Sequence, residues 1–393
     1  MRTVLHFVSL HRIVVTCLLG IASIVLSACA SPTPPPTAVV AATAPPPTAV
    51  PAQPTAAPTA APTTAPASSN EPFVVLDWSG YDDPRFFEPF TQAHPDVKPE
   101  YAFFAEDAEA FAKAQSGFQF DLIHPCTNYW ELYVQEGLIQ PIDTSRLKNW
   151  KGVQEKLAKH GFIQGKQYYV PWDWGFESII YRTDKVKTPP TSWADLWNPE
   201  YKGRLSLFDS GESAHIITAL ALGFDPWNTT PAQNEQIKQK LLELKPNVLH
   251  YWTDFTEVNQ MLASGDAWVI SNAWNDAYTT ARSENVPAEY ITPKEGRLGW
   301  VCGYAISSKS KNVDRAYEFI DALIAPQSMA NMANDFAYGA ANADALPLID
   351  PEFVKLMKLD DPSVLDSTVF YRPLTNEQRE QFTGTWSEIK AGQ

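Results

Sequence analysis

The chain has 393 residues, 19% of them charged, with 30 Lys and Arg against 45 Asp and Glu and a formal charge of −15. That balance excludes a nucleic-acid-binding surface, which needs clustered basic groups, and its field favours cationic partners. Four cysteines in so long a chain also exclude a small disulfide-stapled scaffold.

Residues 1–28 read as an address. Arg2 and Arg12 precede the apolar run Ile13–Leu26, which is short for a membrane span and is followed by small residues. The run ends Leu26-Ser27-Ala28-Cys29, which resembles the bacterial lipoprotein processing site. That resemblance implies cleavage before Cys29 and acylation of its thiol; an ordinary secretory signal is the plainer alternative. Residues 29–70 read as a disordered tether. Past Cys29 the segment holds only Ala, Pro, Thr, Val, Ser, Gln and Asn, too little apolar surface to offset ordering. As polyproline II it reaches roughly 120 Å. The remainder is long enough for two lobes with a sizeable core.

Phe73–Asp77 predicts a buried first strand, and Pro84 opens a helix with Phe86, Phe87 and Phe90 on one face. Lys98–Phe104 is a second strand, with a helix through Ala114, and Phe120–His124 a third, leading through Pro125–Trp130 into another helix. Strand, loop and helix repeat, which argues for a parallel or mixed sheet with helices on both faces and ligand-side loops after the strands.

Tyr168–Tyr181 is an apolar and aromatic run holding two acids, Asp173 and Glu177. Pro171 and Gly175 interrupt it, so one continuous ladder strand is not expected. Trp268–Tyr278 has the same character. The two read as the paths by which the chain enters a second lobe and returns, crossing near 172–175 and 272–277. A ligand would then sit between the lobes, against Trp174, Glu177, Trp274 and Asp276. Between them, Ser192 caps a short helix at 192–197, Arg204–Phe208 is a strand, and helices follow at Ala214–Leu222, Pro231–Leu244 and Glu257–Ser264. Strands are expected at Asn247–Tyr251, Trp268–Ser271, Tyr290–Pro293 and Leu298–Ile306, and helices at Val313–Ile324 and from Pro326. The second α/β unit is inserted in the first: residues 71–171 with 278–325, and 172–277 with 326–393.

No GxSxG, HExxH or phosphate-loop pattern occurs, and no cofactor or metal site is expected. His124 reads as a core residue at a strand end. Beyond Cys17, which leaves with the signal, and Cys29, two cysteines remain. Cys126 and Cys302 are a disulfide or two thiols, and their spacing matches no zinc motif. The loop aromatics and acids suit an ammonium group, through cation–π attraction and charged hydrogen bonds.

The stretches DWSGY, DLIHPCTNYW, EGLIQPID, YYVPWDWG, TSWADLWNPEYKGRLSLFD, ASGDAWVISNAWND and PKEGRLGWVCGYAISSKSKN occur in that order. They resemble the polyamine-binding proteins of ABC importers, over nearly all of residues 72–393. The resemblance implies a two-lobed type II solute-binding α/β fold that closes by hinge motion, a permease partner, and a monomer lipid-anchored outside the cytoplasmic membrane. It implies ligand contacts at Trp78, Ser79 and Tyr81, at Cys126, Thr127 and Asn128, at Trp274 and Asp276, and at Trp300, Cys302 and Tyr338. Gly80, Ser210, Ser213 and Cys302 stand where members of that family carry acids, although Glu212 is adjacent. It also puts Cys126 and Cys302 on one lobe, as a disulfide or as two buried thiols. Two alternatives accompany this reading. One is the same fold with a different small organic solute. The other is a secreted carboxylate glycosidase using two of Glu177, Glu212 and Asp276.

Overall fold

A computed structural model describes residues 71–392; the expected signal, lipid site and tether lie outside them. Its centre is a twelve-stranded mixed sheet. The main strands are β1 (Val74–Trp78), β2 (Glu100–Phe104), β3 (Leu122–Ile123), β4 (Tyr169–Arg182), β5 (Leu205–Phe208), β6 (Val248–Trp252), β7 (Val269–Trp274) and β8 (Arg297–Ser307). Their order across the sheet is β2-β1-β3-β8-β4-β7-β5-β6. β1 runs parallel to β2 and β3, and β5 runs parallel to β6 and β7. β4 and β8 pair antiparallel in the middle. Each flank is therefore a parallel α/β unit, and two long strands join them.

The first unit forms as its pattern dictates. Phe86, Phe87 and Phe90 are buried, with Phe90 5.0 Å and Phe87 4.9 Å from the Phe319 ring. In the second unit α1 (Gly211–Leu222), α2 (Pro231–Leu244) and α6 (Asn376–Ala391) pack together on one side. α3 (Phe255–Ser264) packs with α4 (Asn275–Ser283), which also contacts β4 and β7. Local chemistry sets the helix ends: Thr230 and Gln233 form a capping box before α2, and Ser192 with Asp195 forms one before Trp193–Trp197.

Two expectations are corrected. First, residues 169–182 form one fourteen-residue strand, buried throughout, despite Pro171 and Gly175. The register slips between Cys302 and Gly303, so Trp172 is an extra residue on β4 and the missing N–H of Pro171 falls at a bulge. The Gly303 N–H turns instead to the Pro125 carbonyl at 3.1 Å, and the Trp172 carbonyl accepts from Ala341 at 3.0 Å. Second, the chain does not leave the sheet at the expected crossing near 272–277. Trp274 still pairs with Glu177, and Ala288–Tyr290 pairs with the far end of β4; β8 carries the chain back. Residues of α5 (Pro326–Phe336), expected with the second unit, pack against the turn Pro84–Phe86 and the helix Val313–Leu323 of the first.

Gly175 is required by close approach. A Cβ there would lie 2.4 Å from Trp300 Cζ2 and 2.8 Å from Asn275 Oδ1. Gly175→Ala is expected to cost about 1–3 kcal/mol as overpacking and to displace the Trp300 ring. A thermal melt combined with tryptophan fluorescence would read both; an unchanged midpoint and spectrum would show that the Trp300 ring yields freely.

Candidate ligand-binding cleft

The loops that leave the strand ends enclose a cavity of about 1050 Å³, the size of a small-molecule site. The loop after β1 brings Trp78, Ser79 and Tyr81, and the loop after β3 brings Cys126 and Asn128. Residues 209–213 enter at the start of α1, Trp274 and Asp276 at the β7–α4 junction, and Trp300 and Cys302 from β8. Placement at the carboxyl ends of parallel strands is the general rule for open α/β sheets.

Aromatic faces are held at fixed angles. Trp78 donates Nε1–H to the His124 carbonyl at 3.0 Å and lies 4.6 Å from Phe104. Tyr81 stacks on Phe336 at 4.7 Å and donates its hydroxyl to Asp173 at 3.0 Å. Trp274 meets Trp252 at 5.6 Å, and Trp300 meets Tyr338 edge-on at 4.8 Å.

Of the eight acids on the cavity wall, Asp107, Glu177, Glu212 and Asp276 stand between these rings. Among the described residues no Lys or Arg forms an ion pair with any of them. Burial pushes Glu177 up to about 7, although Tyr371 and Asn272 donate to it at 2.8 and 3.0 Å. Burial also raises Glu212 to about 7, against the pull of Arg379 and of Asn128 Nδ2 at 3.5 Å. Asp107 is raised to about 7 for the same reason, its one backbone donor being Cys126 at 3.2 Å. Asp276, in the first turn of α4, is raised by burial to about 6. One oxygen each of Glu212 and Asp276, and the Arg379 Nε, are buried without a hydrogen-bond partner. The cleft thus holds anionic capacity that the protein itself does not neutralise, beside rings that accept a cation on their faces.

Of the expected contact residues, Trp78, Ser79, Tyr81, Cys126, Asn128, Glu177, Trp274, Asp276, Trp300, Cys302 and Tyr338 line the cavity. Thr127 and Trp174 do not. Thr127 faces β8, where its hydroxyl accepts from the Val301 N–H at 3.4 Å. Trp174 is covered by Gly339 and donates to the Ala340 carbonyl at 3.1 Å. Cys126 and Cys302 are joined as a disulfide. The sequence reading missed Asp107, Tyr371 and Arg379 as wall residues; an acid opening a helix after the second strand was the one signal for Asp107, and nothing local marked the other two.

Residues 86–360 match the family model described as bacterial extracellular solute-binding protein. The spermidine/putrescine-binding periplasmic protein of Salmonella typhimurium is 30% identical over 291 residues, 73% of this chain and 82% of that protein. The putrescine-binding periplasmic protein PotF of Escherichia coli is 27% identical over 353 residues, 83% of this chain and 93% of that one. In fold, the chain matches the crystal structure of the spermidine/putrescine ABC transporter substrate-binding protein PotD from Streptococcus pneumoniae. The TM-score is 0.72 at 22% identity, over 82% of this chain and 99% of that one. That likeness establishes the two-lobed α/β architecture. With the family model matching 86–360, more than half of the chain, and a relative 30% identical over 73% of it, the protein belongs to the bacterial extracellular solute-binding protein family.

Proposed function

We propose that the protein is the solute-binding lipoprotein of an ABC importer, capturing a small cationic amine of the spermidine/putrescine class and delivering it to permease subunits. It would be a monomer held by an acylated Cys29 on the outer face of the cytoplasmic membrane, doing no chemistry. The lobes would be built on the two parallel flanks of the sheet, with β4 and β8 as the strands that join them. The observation that carries the ligand class is the set of buried cavity carboxyls, Asp107, Glu177, Glu212 and Asp276, with which no Lys or Arg forms an ion pair among the described residues, interleaved with Trp78, Trp274 and Trp300. An ammonium group would supply the missing charge, and leaving it unpaired there would carry a large desolvation penalty. The names of the curated relatives point to the same class. A second reading, a different small solute in the same cleft, is favoured by Arg379, whose guanidinium a purely cationic ligand does not need.

Calorimetric titration with putrescine, spermidine, amino acids and sugars tests this. A polyamine is expected to bind, and Trp274→Ala to weaken it by about 0.5–2 kcal/mol. Heat from a zwitterion alone would select the second reading.

A further inference from the structure

We propose that His124 is an internal imidazolium that masks Asp173 from the ligand, so that a histidine beneath the cleft helps set how many positive charges the cleft accepts. The charge-selection part rests on the amine reading above.

His124 lies between two carboxylates, with Nδ1 2.8 Å from Asp77 Oδ1 and Nε2 3.1 Å from Asp173 Oδ1. An ionised carboxylate only accepts hydrogen bonds, so both ring nitrogens must donate, and only the doubly protonated ring can do that. Other oxygens of the two acids are already engaged. Asp77 Oδ2 accepts from the Tyr304 hydroxyl at 2.7 Å, and its Oδ1 also accepts from the Trp78 N–H at 2.8 Å. Asp173 Oδ2 accepts from the Tyr81 hydroxyl at 3.0 Å. All three members of the triad are at most 1% exposed, so water does not substitute for a missing partner. A neutral ring would set a bare nitrogen lone pair against a buried carboxylate.

The rings around His124 suit a cation. Tyr304 stacks on it at 4.3 Å, and Tyr81 and Trp172 stand edge-on at 5.2 and 5.6 Å. Burial pushes the imidazole down, but Asp77 and Asp173 outweigh it and hold it up at about 9. Asp107 also feels the charge. Because the folded value lies above the ordinary 6.5, the triad's contribution to stability is full below about pH 6.5 and is lost as pH rises through about 9.

The consequence reaches the ligand through Asp173 and Tyr81, both on the cavity wall. Asp173 is a further acid on the cleft wall, yet its charge is already answered from below, unlike those of Glu177 and Asp276. His124 therefore acts as a positioning residue: it fixes Asp173, which fixes the Tyr81 ring, and it withholds one carboxylate from the ligand.

Two measurements test this on the processed protein. In a nitrogen-15 histidine NMR titration, His124 is expected to show both ring nitrogens protonated up to pH 8. His160 and His215, each held down to about 4 by burial, supply neutral rings in the same spectrum. A neutral His124 at pH 7 overturns the proposal. The second measurement is the ratio of spermidine to putrescine affinity in wild type and in the double variant His124→Gln/Asp77→Asn. That variant removes the cation with one of its two anions and leaves Asp173 uncovered. The ratio is expected to rise about tenfold, the worth of one charged hydrogen bond; an unchanged ratio overturns the masking. If the wild type binds no amine, the amine reading fails, while the spectrum still decides whether His124 is the cation. The spectrum likewise decides alone if the variant does not fold.

Discussion

Asp276→Asn is expected to lower amine affinity about a hundredfold, on the order of 2–4 kcal/mol, while leaving the ligand-free protein as stable as before or more so. The asymmetry follows from the site. Asp276 stands in the first turn of α4, one of its oxygens is buried without a partner, and no cation pairs with it. In the ligand-free state the carboxylate is a cost, relieved by protonation or by Asn. In the complex it is the counter-ion. The same reasoning fixes the pH dependence. Asp276 titrates near 6, and Asp107, Glu177 and Glu212 near 7, all raised by burial above the ordinary carboxyl range. Between about pH 4 and 7 the folded, ligand-free protein holds protons that the unfolded chain has released. Its stability therefore falls as pH rises through that window. Amine binding needs the ionised forms, so affinity should rise from pH 5 to 7.5 and binding at pH 6.5 should release protons. Calorimetry in two buffers of different ionisation enthalpy reads the released protons, and a set of melting curves reads the stability. Asp276→Asn binding at wild-type strength would place the amine elsewhere in the cleft.

What was legible in the sequence is what local chemistry decides. The start at Pro231 follows from Thr230, Gln233 and a proline at the first helical position, all within four residues. The cleft aromatics were legible as a set, Trp and Tyr beside acids in strand-end loops, whereas a single Trp such as Trp174 is as readily core. What failed was decided at a distance. Pro171 should have broken β4, but Gly303 and Pro125 absorb its missing hydrogen bond from elsewhere in the chain. Trp174 and Thr127 sit beside true wall residues and point away, toward Gly339 and Val301. Arg379 comes from the first turn of α6 and Tyr371 from the segment before it, where no motif marks them. His124 looked like ordinary core because its two partners, Asp77 and Asp173, are 47 and 49 residues away.

Removing the Cys126–Cys302 bond, by Cys126→Ala/Cys302→Ala, is expected to cost about 2–5 kcal/mol of stability, and to weaken ligand binding as well. The bond joins residues 176 apart, so the unfolded chain regains the freedom of a long loop when it is lost. Its position adds a second effect. Cys126 opens the loop that carries Asn128 and Tyr129 to the cavity, and Cys302 pairs with Asp173 on β4. Around it the loop is also held by Gly303 N–H to the Pro125 carbonyl, Cys126 N–H to Asp107, Val301 N–H to the Thr127 hydroxyl and Arg379 to the Asn128 carbonyl. Loosening it frees Asp107, one of the cavity carboxyls, from its backbone donor. Both cysteines are buried, at 9% and 5% exposed. A reductant is therefore expected to act slowly on the native protein and fast once denaturant opens it. Denaturant midpoints of wild type and double variant, with and without reductant, separate the two effects from simple mutation damage. Wild type with reductant should fall to the midpoint of the variant, and the variant should not respond. Equal midpoints in all four samples would show that β8 and the β3 loop hold each other without the bond. A large reductant response would mean that the fold depends on an oxidising compartment to mature, as expected of a protein that works outside the cytoplasm.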